Sequence, residues 1–315
     1  MKNPNIEIHL ALSFDEIYLT PFYVLLTSIF FNNKGSNIIV HAIATGIDDL
    51  EKKKILEYVK LNQGEIHFYD IDKFYEIEFL NTPYLKSTDL TIATFYRLYF
   101  PFLFPENIKK LLYIDVDTVV IDRLESFYET NISPFPAGAA QDIAMFRNND
   151  PILLKVGVEK ENYFNAGVLL IDVEQWKKQK VSERALQFIT DNLDILKYPD
   201  QDALNHVLKD NYYKFSNLYN FCWDDISIDL PKKEILKNKI VIIHYTAIKP
   251  WKALNYNRLR SYYYYYLKKS PHANRKKYTD FKWTKSCIKE FIKIRIREFY
   301  LDHTWIRNIW KKIKP

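Results

Sequence analysis

The sequence predicts an α/β fold: a mostly parallel sheet with helices on both faces. Two observations carry this. Apolar, β-branched runs alternate with charged, helix-like segments along the first 120 residues, and polar residues gather where the apolar runs end. In sheets of this kind ligands collect beyond the carboxyl ends of the strands, so those polar residues are the first candidates for a site.

Ile6 to Leu12 reads as the first strand, closed by Ser13-Phe14-Asp15-Glu16. A helix is expected after Pro21, a second strand at Ile38 to Ala44, a charged helix from Asp48 to Leu61 and a third strand at Glu65 to Tyr69. Thr88 to Phe104 reads as a helix carrying Arg97 among aromatics. Leu111 to Asp122 then reads as one long buried strand that contains two carboxylates, Asp115 and Asp117. Buried carboxylates are costly unless paired or bound to a cation. In extended backbone, side chains two apart share a side, so this pair is placed to converge on one ion. Alone, Asp-x-Asp is a common pattern whose plain alternative is solvated carboxylates at a strand end.

Further along, Phe164 to Ile171 passes from small residues into a strand, and Asn165, Ala166 and Gly167 allow close backbone approach. Asp172 with Gln175 offers a capping pair for the next helix. Pro199 to Asn205 reads as a helix start with Asp200 and Asp202 in its first turn, ordinary capping being the alternative. Ile240 to Ile243 is a further buried strand, closed by His244 and Tyr245 and followed by Lys249-Pro250-Trp251.

At 315 residues and 48% hydrophobic content the chain can bury a sizeable core. Cys222 and Cys287 supply neither a disulfide framework nor zinc-ligand spacing, which suits a reducing cytosol. The start lacks signal-peptide character, and the apolar stretch Phe22 to Phe31 is too short to span a bilayer, so a cytoplasmic location is expected. The net charge of +6 is uneven: residues 271–315 hold 13 Lys+Arg against 4 Asp+Glu, leaving 32 against 35 in residues 1–270. In that tail Ile288, Phe291, Ile292, Ile296, Phe299, Ile306, Ile309, Trp310 and Ile313 recur at mostly helical spacing. The chain is therefore divided into a body, 1–265, and a basic amphipathic tail, 266–315. The tail suits an anionic membrane surface, placing the protein peripherally on the inner face of the cell membrane; its alternative is a helix packed on the body. Charge confined to the tail argues against nucleic acid as a partner.

Four polar clusters thus stand at strand ends or a helix start: Asp115 with Asp117, Asn165 to Gly167, Asp200 to Asp202, and His244 with Lys249. Two carboxylates and an imidazole suit a divalent ion of intermediate hardness, manganese with magnesium as the alternative, and Lys249 adds a positive group for a diphosphate.

Leu112-Tyr113-Ile114-Asp115-Val116-Asp117, Phe164-Asn165-Ala166-Gly167-Val168-Leu169-Leu170-Ile171, Asp200-Gln201-Asp202-Ala203-Leu204-Asn205, and His244-Tyr245 with Lys249-Pro250-Trp251 resemble, in order, the motif set of glycosyltransferase family 8. That family includes bacterial lipooligosaccharide galactosyltransferases and glycogenin, and the bacterial enzymes share a basic, aromatic tail. The resemblance implies a GT-A fold and a retaining, manganese-dependent transfer of a hexose from UDP-galactose or UDP-glucose to a glycan or glycoconjugate acceptor. By position it implies that Asp115, Asp117 and His244 hold the metal, with Asp115 also facing the ribose. Asp15 and Tyr18 match contacts to uracil. Arg97, Asp142, Asn165 and Asp200 match residues that hold the donor hexose, Gln201 the residue near the anomeric carbon, and Lys249 the lysine on the diphosphate. The neighbouring Ala166, Gly167 and Trp251 belong to the same motifs.

Two departures stand out. Ile17 replaces the usual Asn between Asp15 and Tyr18, removing one polar contact to the nucleoside. The segment His244 to Trp251 is one residue short, with Ala247 where glycine is expected, which predicts a displaced Lys249. Retention requires a carboxylate nucleophile, Asp200 or Asp142, or same-face attack; Gln201 is a poor nucleophile, and same-face attack is preferred. Two other readings use the same residues: a metal-dependent nucleotidyltransferase or phosphohydrolase, and a non-catalytic nucleotide-sugar or glycan-binding module.

Overall fold

The computed structural model describes residues 6–70, 92–103, 105, 107–222, 230–306 and 309. Its strands are β1 (Glu7–Asp15), β2 (Asn37–Thr45), β3 (Glu65–Tyr69), β4 (Lys110–Ile114), β5 (Thr118–Val120), β6 (Ala137–Gln141), β7 (Phe164–Asp172), β8 (Tyr213–Phe215) and β9 (Ile242–His244). Seven of them form one sheet in the order β3-β2-β1-β4-β7-β6-β8. β1 to β4 pair in parallel, as do β6 and β8, and β7 alone runs against both its neighbours. The sheet is therefore mostly parallel, as the alternation of segments predicts.

Alternate side chains of β1 enter different cores. Ile8, Leu10 and Leu12 meet the helix Leu19–Asn32 through Phe22, Leu26 and Ile29, whereas Ala11 faces a second core that contains Phe95, Tyr113 and Trp176. Helices cover both faces, and side chains of this size contribute roughly 1.5–3 kcal/mol each when fully buried. The helix Asp49–Leu61 starts on Asp48, whose side chain accepts the Glu51 amide at 2.7 Å.

Two sequence expectations change. The stretch read as one strand from Leu111 to Asp122 is two: β4 ends at Ile114, a turn carries Asp115 to Asp117, and β5 leaves the main sheet to pair antiparallel with β9. Apolar content cannot separate them, because both halves are buried. The helix expected at Thr88 to Phe104 is a 3-10 helix, Ile92–Leu98, followed by the short helix Phe100–Leu103; residues 88–91 and 104 lie outside the described residues. β-branched and aromatic side chains favour helix weakly, and Pro101 lacks the amide that would carry the hydrogen bonding of the first segment on into the second. The division drawn at residue 265 falls inside the helix Arg260–Leu267. That helix is tied to the tail helix Lys285–Asp302 by the ion pair Arg260–Glu298, and Arg258 reaches Asp302 at 2.9 Å. Among the described residues no helix is long and apolar enough to cross a membrane.

Candidate active site

The reversed direction of β7 builds the site. Because β7 runs against β4, its first residues lie beside the end of β4: Val168 pairs with Ile114, and the Asp115 amide donates to the Gly167 carbonyl at 2.7 Å. The turn that follows is pinned twice more. Thr118 Oγ1 donates to the Asp115 carbonyl at 2.8 Å, and the Tyr245 amide to the Asp117 carbonyl at 3.0 Å. Pairing of β5 with β9 then sets Thr118 opposite His244. Asp115, Asp117 and His244 each offer a ligand atom within 4.8 Å of the others. The two carboxylates converge because a turn folds them together, not because strand alternation aligns them.

Each carboxylate has one oxygen committed elsewhere. Asp115 Oδ1 accepts from Tyr113 Oη at 2.7 Å and from Arg97 at 3.0 Å, while its Oδ2 lies 3.9 Å from His244 Nε2. Asp117 Oδ1 stands 3.2 Å from His244 Nε2, and its Oδ2 pairs with the Lys249 ammonium. Burial alone would raise the Asp117 carboxyl, but the positive charge facing it, the Lys249 ammonium first, holds the group below the usual carboxylate range. Lys249 thus reaches the site although its segment is one residue short. Ala247 adopts φ +57°, the left-handed conformation that a glycine would supply at no steric cost.

Arg97 is buried at the floor, 5% exposed, and links two sides of the cleft. Its guanidinium donates to the Ala166 carbonyl at 2.5 Å, lies 2.8 Å from Asp200 Oδ2, and stacks 4.8 Å above the Tyr113 ring. Burial pushes the Asp200 carboxyl up to about 6, with Arg97 opposing and Asp115 reinforcing the rise. Across the cleft, Asp142 Oδ2 accepts from Asn165 and from Gln201, both at 3.2 Å. The Gln201 side-chain oxygen Oε1 accepts the Ala166 amide at 3.0 Å. Behind them Tyr163 donates to Asp202, which also accepts the Lys197 and Tyr198 amides at 2.8 Å and so fixes the start of the helix Pro199–Val207.

These groups surround a cleft of about 440 Å³. Asp15 and Tyr18 line its β1 end, where Asp15 accepts the Tyr18 amide at 3.0 Å. Arg97, Asp115, Asp117, His244 and Lys249 line its middle, and Asp142, Asn165, Asp200 and Gln201 its far side. Three residues expected at the site do not line it. Ala166 acts through its buried backbone. Gly167 yields its space to the His244 ring, so the close approach its size permits is that of a side chain. Trp251 packs edge-on against Tyr18 at 5.8 Å and against Tyr263. The sequence reading missed Tyr113, Tyr163 and Asn220, whose hydrogen bonds orient the residues it named. Tyr113 adjoins the acidic pair and was within reach of inspection, whereas Asn220 sits in a run with no local signal.

A fit for a divalent ion follows from the donor set: two carboxylate oxygens and one imidazole nitrogen, on side chains already held by other partners. The family profile described as "Glycosyl transferase family 8" matches residues 9–255. The lipopolysaccharide 1,2-glucosyltransferase of Escherichia coli (strain K12) is 28% identical, over 96% of this chain and 88% of its own. General stress protein A of Bacillus subtilis (strain 168) is also 28% identical, over 69% and 78%. Among solved structures, the galactosyltransferase LgtC in complex with donor and acceptor sugar analogues superposes with a TM-score of 0.70 at 19% identity, over 90% of this chain and all of that one. The seven-stranded, mostly parallel sheet is thus the GT-A fold.

Proposed function

The chain belongs to glycosyl transferase family 8, and on that premise we propose that it transfers galactose or glucose from a UDP-sugar to a hydroxyl of a surface glycan or glycoconjugate, of the lipopolysaccharide, capsule or glycoprotein kind, with retention of anomeric configuration. One observation carries the reading: Asp115, Asp117 and His244 converge beside Lys249, and the same cleft holds Arg97, Asp142, Asp200 and Gln201. Asp115, Asp117 and His244 would hold Mn2+ or Mg2+. Such an ion neutralises the charge that builds on a departing diphosphate. Lys249 adds an ammonium at the same end, Asp15 and Tyr18 receive the base, and Arg97 locks the cation side to the sugar side through Asp115 and Asp200.

For retention, a carboxylate nucleophile would have to be free to attack. Asp200 faces Arg97, and Asp142 Oδ2 takes two amide hydrogen bonds, so both are committed. That favours same-face attack, with Gln201 and Asp142 lining the opposite face of the sugar.

The test is a donor screen with Mn2+, read as UDP release and a new α- or β-glycoside by NMR. Transfer by the wild type with loss in Asp117→Ala is expected. Transfer in chelated, metal-free buffer would overturn the metal assignment. A nucleotidyl or phosphate product would turn the reading to the nucleotidyltransferase or phosphohydrolase, UDP-sugar binding without turnover to the nucleotide-sugar-binding module, and failure to bind any UDP-sugar to the glycan-binding module.

A second reading concerns location. The outward face of the helix Lys285–Asp302 carries Lys285, Lys289, Lys293 and Arg297 interleaved with exposed Ile292, Ile296 and Phe299. Its acids are engaged: Glu290 with Lys293, Glu298 with Arg260 and Arg295, Asp302 with Arg258. This supports both tail expectations at once: one face docked on the body, the other suited to an anionic bilayer surface.

A further inference from the structure

Asn220 precedes the isolated bridge that joins Phe221 to Ile243, and it is 1% exposed. It lies behind His244, on the side away from the two carboxylates, in a run of hydrogen bonds whose direction can be worked out end to end. The Asp142 carboxylate accepts from Asn165 Nδ2 at 3.2 Å, so Asn165 turns its oxygen the other way. That oxygen accepts the Gly167 amide at 3.0 Å and Asn220 Nδ2 at 2.9 Å. Both assignments agree, because a backbone amide can only donate. Asn220 then has its own oxygen left for His244 Nδ1, 2.9 Å away. An oxygen there requires the proton on Nδ1. The neutral ring is thereby left with its lone pair on Nε2, the nitrogen that faces Asp115 and Asp117.

We propose that Asn220 is a positioning residue that fixes His244 in the Nδ1–H tautomer and so presents a bare Nε2 to the cation. The inference rests on the metal assignment above and adds to it a residue and a role. Without the Asn220 oxygen, nothing in this run holds the proton on Nδ1. A proton on Nε2 would instead be drawn to Asp117 Oδ1 at 3.2 Å, which blocks ligation. A hydrogen-bond partner that orients a metal-binding histidine in this way is worth roughly 10–100-fold in metal affinity.

The experiment uses the full chain and reads the tautomer without metal. Imidazole 15N shifts are recorded in chelated, alkaline buffer, with the His244 signal assigned from His244→Gln, and Mn2+ binding is then titrated calorimetrically. The wild type is expected to show Nδ1–H. Asn220→Leu, which keeps the branched outline at Cγ and removes the acceptor, should move His244 toward Nε2–H and weaken Mn2+ about 10–100-fold. Asn220→Asp, which retains an acceptor, should keep Nδ1–H and bind Mn2+ more tightly than Asn220→Leu; this variant covers the case in which Asn220→Leu does not fold. A wild-type ring protonated on Nε2, or a tautomer and affinity unchanged in Asn220→Leu, overturns the proposal while leaving the metal assignment standing. A wild type with Nδ1–H that binds neither Mn2+ nor Mg2+ overturns the metal assignment, and with it the role given to Asn220.

Discussion

The ring of His244 occupies the space that a side chain on Gly167 would need. A Cβ at Gly167 would overlap His244 Cε1 and stand 2.7 Å from Asp115 Oδ2. β7 and the β5-β9 pair can therefore meet only over a residue without a side chain. Gly167→Ala is expected to push His244 away from the carboxylates, lowering Mn2+ affinity and transfer by at least about tenfold, in line with loss of ligand orientation. Calorimetric Mn2+ titration checks it; wild-type affinity in a folded variant would show that the ring has room to shift.

Ala247 holds a left-handed backbone at φ +57° between His244 and Lys249. Such a conformation costs a residue with a Cβ about 1–2 kcal/mol. Ala247→Gly relieves that strain but loosens the unfolded chain, so a net gain of about 0.5–1 kcal/mol is expected in urea unfolding. A loss of stability would mean that the Ala247 methyl packs productively.

Asp200 gives a pH dependence with a definite sign. Its carboxyl is raised to about 6 in the folded chain, from an ordinary value near 3.8. The folded state therefore binds its proton more readily than the unfolded state. The stabilisation this group contributes is complete below its ordinary value and is lost as pH rises through about 6. The amide of Asp200→Asn does not ionise. Relative to wild type, the variant should gain roughly 3 kcal/mol between about pH 4 and pH 7. Chelated urea unfolding across that range is the measurement, and parallel curves would refute the shift.

The tail helix separates its two contacts by face. Ile292→Glu with Ile296→Glu leaves Glu298, Arg295 and Asp302 on the docked side untouched. The pair should abolish sedimentation with anionic vesicles at low salt and leave soluble donor turnover unchanged. Removal of residues 271–315 should release the chain from vesicles too, but it also takes Asp302 from Arg258 and Glu298 from Arg260 and should lower stability. Vesicle binding that survives the double substitution would place the membrane contact elsewhere.

Sequence by itself determined the alternation that makes the sheet, because burial on both faces forces continuous apolar runs and period-2 alternation is not needed. It also determined the polar types at the strand ends, since carboxylates in such runs need a partner. Chain order could not reveal that Asp115 and Asp117 sit in a turn between two sheets, that β7 is reversed, or that Gly167 serves His244. Those facts depend on which strands pair, and pairing is settled by contacts between residues far apart in the chain, such as Thr118 with His244 and Ile114 with Val168. Asn220 is the extreme case. Nothing in its neighbours marks it, and only the tertiary fold, by closing a hydrogen-bond run from Asp142 to His244, gives its amide a direction.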